Sequence, residues 1–206
     1  MNLPIEEILT HIFLIGILGM IFYYFSNKYS KEQLRITFYW TLAYSFFALS
    51  SFLYLAFRFF DNPIIANNLQ FISAGIGVVS IFLGVVNSYL DDINSIQWEI
   101  PLGIIGLFGI LLWSYDIAIG RYIFLIYGLT VDIYFVIISI KSKNVKIAFV
   151  TIGLILTLIT GIMRTNQVIT EQVHTLYQVL AHLLIFVGLN VFSVVKNQTI
   201  TNITYS

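Results

Sequence analysis

The chain has 206 residues, of which 59% are hydrophobic, 17% aromatic and only 10% charged; with a mean hydropathy of +0.91, a water-soluble domain could not hide so much apolar surface. Ten Lys and Arg balance ten Asp and Glu, so charge gives no reason to expect nucleic acid or an acidic partner. The absence of cysteine excludes disulfides, thiolate metal sites, iron–sulfur clusters and thiol catalysis.

Apolar segments of spanning length, about 17 to 25 residues each, recur along the whole chain. They predict seven helices, at 6–25, 36–60, 64–90, 100–115, 122–140, 147–163 and 173–195. The polar breaks, from SNKYSKEQLR to RTNQVITEQ, are too short to hold a soluble domain. The expected fold is therefore an all-α integral membrane protein of the cell membrane, multi-pass. It has a single seven-helix transmembrane domain over 1–196 and a short polar tail over 197–206. The fourth and sixth spans are the shortest, so a merged or half-inserted segment would show there first.

The first helix follows the stretch MNLPIEE, which has no basic region, and no small-residue cleavage site comes after it, so it is expected to stay in the protein. Basic residues then orient the bundle. Loops one, three and five and the tail hold Lys28, Lys31, Arg35, Lys141, Lys143, Lys146 and Lys196, against Arg58, Arg121 and Arg164 on the other side. This excess predicts an N-terminus outside and a C-terminus in the cytoplasm. Two N-x-T sequons in the tail, at Asn197 and Asn202, would be usable only outside and run against it. The aromatics fit the charge rule: Tyr23, Tyr24, Tyr39, Trp40, Tyr89 and Trp98 fall near the inner boundary and Trp113, Tyr115 and Tyr122 near the outer one. They are expected to be interfacial anchors rather than a cofactor cage.

The third helix carries a stripe, Gln70, Ser73, Gly77, Ser80, Gly84 and Asn87, at alternating steps of three and four. Small residues at this spacing let helix backbones approach closely, so the stripe predicts helix packing rather than a pore. Gly103, Gly106 and Gly109 do the same in the fourth helix. In the fifth, IFLIYGLTVDIYFVIISIKSK from Ile123 resembles IFLIGILGMIFYYFSNKYSK from Ile12 in the first. Two three-helix units around a linking fourth helix would make a 3+1+3 parallel repeat.

The same helix holds Asp132, expected near mid-membrane, where a carboxylate costs roughly 2.5–3.5 kcal/mol unless it is protonated or paired inside the bundle. The seventh helix, VHTLYQVLAHLLIFVGLNV, places His174, Gln178 and His182 at i, i+4 and i+8, a polar stripe along one face. His182 is expected at a depth similar to that of Asp132. His11, Asn67, Asn68 and Gln70, with Arg58, Arg121 and Arg164 at the rim, would complete an outer vestibule converging on this pair. The alternative for each polar group is an interhelical hydrogen bond worth about 1 kcal/mol or less.

Several specific chemistries are missing. The last span has no lysine for a retinal Schiff base. His174 and His182, about 12 Å apart along one helix, cannot share a haem iron, which leaves His11 with His174 as the one bis-histidine pair to consider. No HExxH, phosphate loop or GxSxG occurs, and three scattered histidines do not make a zinc site. Neither an enzyme nor a bound cofactor or metal is expected.

The plan of seven spans with the N-terminus outside looks like that of opsin-like and seven-helix sensory modules. A three-plus-one-plus-three arrangement is similar to that of small sugar or vitamin permeases. No motif diagnostic of either group is present, so no residue role is carried over. Richness in isoleucine and asparagine without cysteine would be at home in a prokaryote, especially an archaeon. The leading expectation is a small-solute or proton-coupled permease using Asp132, His182, Gln178 and His174. The alternative is a non-enzymatic sensory module or a subunit of a larger membrane complex. Expected partners are the lipid bilayer, a small-molecule ligand and either further copies of the chain or other membrane subunits.

Overall fold

Long runs of Leu, Ile, Val and Phe interrupted by single polar residues can satisfy their backbone only internally when water is absent, which makes the helix their form in a bilayer. The computed structural model describes the backbone of residues 4–89, 92–115 and 118–203, and the side chains of 4–88, 96–115 and 119–189. The described residues are all-helical: α1 Ile5–Glu32, α2 Arg35–Phe59, α3 Pro63–Tyr89, α4 Asp92–Ser114, α5 Ala118–Ser142, α6 Val145–Thr165 and α7 Glu171–Ile203. Seven are long and apolar enough to cross a membrane. The fourth and sixth, predicted shortest, are separate helices of 23 and 21 residues. The α7 backbone continues through 197–203, where a tail is expected. The side chains of Tyr89, Lys196, Asn197 and Asn202 lie outside the described residues.

Tight reversals join most neighbours. Gln33, Asp61, Lys143 and Gln167 each follow a helix with φ between 49° and 58°. The left-handed residue turns the chain out of the helix while the next amides close back on the last turn. Asn62 N–H reaches Phe57 O at 2.9 Å and Val168 N–H reaches Met163 O at 2.8 Å. Asn144 then caps α6 by accepting from Lys146 N–H at 3.0 Å.

By contacts the chain divides into two compact units, 1–131 and 132–206. In the first, α1 packs on α2, α2 on α3 and α3 on α4. The predicted α3 stripe faces α2. Ser50 Oγ donates to Gln70 O at 2.8 Å, and a Cβ at Gly77 would stand 2.5 Å from the Phe47 ring. Ser73 and Ser80 are buried on the same helix, and Gly84 rests against Tyr39 and Trp40. Phe25, Trp40 and Tyr44 stack at centroid distances of 5.2 to 6.2 Å and fill one end of the α1–α2 seam.

In the second unit α6 and α7 form the main contact. Gly153 makes it close: a Cβ there would lie 2.5 Å from the Ala181 carbonyl oxygen. Ala181 and Ile185, both fully buried, complete the seam. The Thr151 hydroxyl, which donates to Ile147 O in its own helix at 2.7 Å, also stands 3.2 Å from Phe135 O on α5.

Candidate functional site

In the second unit, Asp132 and His182 both lie within about 3 Å, along the axis, of the midpoints of their apolar windows, Ile119–Ser142 and Glu171–Leu189. Both are buried, at 8% and 5% exposure. They form no hydrogen bond or ion pair with each other, and Asp132 has no such partner among the described residues. His182 Nδ1 donates to Gln178 O, one turn back, at 2.8 Å. A carbonyl can only accept, so Nδ1 carries the hydrogen and Nε2 is the acceptor in the neutral ring.

The rest of the α7 stripe turns toward α6. Gln178 Nε2 donates to Thr160 Oγ1 at 2.9 Å and to Thr157 O at 3.3 Å. Its carboxamide oxygen accepts nothing among the described residues. Nearer the start of α7, Arg164 Nε donates to Glu171 Oε2. His174, three residues beyond Glu171, keeps a buried Nδ1 with no hydrogen-bond partner. Thus Arg164, expected at the rim of a vestibule, is held by a carboxylate of its own unit.

The first unit has polar groups at both ends of its helices. Where α1 begins and α2 finishes, Tyr54 Oη donates to Glu7 Oε1 at 2.7 Å, and His11 stacks on the same ring at 4.6 Å. The Arg58 guanidinium stands 6.0 Å from that ring's centroid. At the opposite end, Glu99 accepts from Tyr39 Oη at 2.7 Å and from Asn87 Nδ2 at 2.8 Å, with Arg35 at 3.9 Å. Of the expected vestibule residues in this unit, His11 and Arg58 thus meet at Tyr54. Asn67 stands apart from them. It lines a cavity of about 280 Å³ with Asn68, Phe71, Trp113 and Ser114, and Gln70 is not part of that lining.

Glu7, Tyr54, Glu99, Thr157 and Thr160 are absent from the set predicted by sequence. For Glu7 a signal exists. Glu7, His11, Leu14, Leu18, Ile21 and Phe25 repeat at steps of four and three, and all are buried. A carboxylate on a packing seam must find a donor. No group of three metal-ligating side chains occurs among the described residues.

No family model, no curated protein and no solved structure matches the chain.

Proposed function

We propose that this chain is a small permease of the cell membrane that moves a proton or a small cation together with a small solute, with Asp132 taking up and releasing the charge. One observation carries the reading: a buried carboxylate near the middle of an apolar helix has no partner among the described residues. Holding an ionised group there costs roughly 2.5–3.5 kcal/mol on insertion scales, and an ionisable residue at that depth marks an ion or substrate pathway by default. Short connections favour the same reading, because a transporter needs nothing outside the bilayer. In this scheme His182 and the free carboxamide oxygen of Gln178 contact the solute. The N-terminus stands outside, as the basic residues predict, and any three-helix repeat remains part of this proposal.

The test is proton movement into liposomes reconstituted with the chain and loaded with a pH-sensitive dye, with glucose, alanine or choline added outside in turn. The expected result is solute-dependent acidification that Asp132→Asn abolishes at equal reconstituted yield. Absence of any solute-dependent proton movement or sodium uptake in the unaltered chain, or equal flux in the variant, would sink the reading.

A further inference from the structure

The cavity at the start of α3 and the end of α4 is lined by Asn67, Asn68, Phe71, Trp113 and Ser114, none of them charged. We propose that it binds a small, neutral, polyhydroxylated solute of the size of a single sugar ring. The lining offers no charged side chain to pair with an ion, which favours a neutral ligand. The Asn67 and Asn68 side chains are exposed, and neither carboxamide is bonded to the protein among the described residues. Each offers two N–H donors and one accepting oxygen, a pattern that neighbouring hydroxyl groups, each both donor and acceptor, can satisfy. Ser114 has committed its hydrogen to Leu111 O at 2.7 Å, so its oxygen remains to accept.

The remaining wall is aromatic. Phe71 and Trp113 meet edge to face, with 78° between their planes. Phe124 backs the indole at 5.1 Å. A rigid ring face, negative at its centre, suits the weakly positive C–H surface of a sugar ring. The indole N–H makes no hydrogen bond among the described residues, which adds one more donor. At about 280 Å³ the space lies at or just under the small end of ligand sites, about 300–1,000 Å³, which suits a single ring. Binding at this cavity stands by itself; its sense as a capture site for a transported solute rests on the permease reading above.

The chain has three tryptophans, so Trp40→Phe with Trp98→Phe leaves Trp113 as the only one. This form, in a detergent without a sugar headgroup, is titrated with glucose and with myo-inositol, and with glucuronate as a charged control. Isothermal titration of the unaltered chain gives the same constant without those substitutions. The expected result is a saturable emission change with a neutral polyol at a Kd of about 1 mM, where free energies are about 4 kcal/mol. Loss of both carboxamides in the Asn67→Leu, Asn68→Leu pair should weaken it at least about tenfold at unchanged melting temperature. Ser114→Ala should weaken it about threefold. No saturable change with either polyol, one that survives in the asparagine pair, or an equal response to glucuronate would overturn the assignment. Binding that persists in a chain without flux would instead retain this site and remove the permease reading.

Discussion

Glu99 and Asp132 are both carboxylates on apolar helices, and their surroundings treat them in opposite ways. Glu99 sits near the start of its apolar window, where Tyr39, Asn87 and Arg35 reach it from α2 and α3. Asp132 sits near the middle of its own window and meets no donor among the described residues. The first is a fastening and the second a standing cost. Position along the helix accounts for the difference, because long side chains such as Arg35 reach polar surroundings from a helix end and not from its middle.

Replacing each carboxylate by leucine should therefore move stability in opposite directions. Glu99→Leu removes the charged acceptor of Tyr39 Oη and Asn87 Nδ2, while the exposed Arg35 keeps its solvent, and a loss of about 2–3 kcal/mol is expected. Asp132→Leu removes an unpartnered buried acid, and a gain of about 2 kcal/mol is expected, below the insertion cost because the unfolded chain in detergent is also partly shielded. Thermal melts followed by helical circular dichroism check both. If the two variants melt on the same side of the parent chain, the contrast between the regions is wrong.

A smaller effect separates the two units through glycine. Gly153→Ala drives a methyl onto the Ala181 carbonyl oxygen, which is backbone and cannot swing aside; a loss of about 1–3 kcal/mol is expected. Gly16→Ala, with nothing within 4 Å, should gain about 0.5–1 kcal/mol from helix propensity alone. The same melts check this pair, and a gain in both would show that the α6–α7 seam can open where the geometry makes it tight. The smallest change expected is Gln178→Leu, about 0.6 kcal/mol, the usual worth of a hydrogen bond between membrane helices. A loss several times larger in the melt would mean that Gln178 anchors more of its unit than Thr157 and Thr160.

The helices are legible in the sequence because each is a long apolar run between short polar breaks, and hydropathy alone separates them. The α3 stripe is legible for a similar reason: Gly77 and Ser80 at helical spacing mark a face with room for a neighbour, and that face meets Phe47, Ser50 and Trp40. Which polar groups pair is not legible. Tyr54 and Tyr39 read as apolar or interfacial residues until a carboxylate is placed beside them, and that depends on how helices register against each other. Asn67 and Asn68 read as one polar patch with His11 and Gln70, yet only the asparagines border the cavity with Trp113, because helix rotation decides which side of a turn faces the gap.

Within each unit the helices that pack on each other, α1 with α2, α2 with α3, α3 with α4 and α6 with α7, are consecutive in the chain. The reversals closed by Gln33, Asp61 and Gln167 bring three of these pairs together with almost no loop to search. Loop-closure entropy is then small, and contacts of low sequence separation form quickly. A ribosome delivering this chain would hand over each helix while its partner is still the most recently inserted one, so the order of synthesis and the order of assembly coincide.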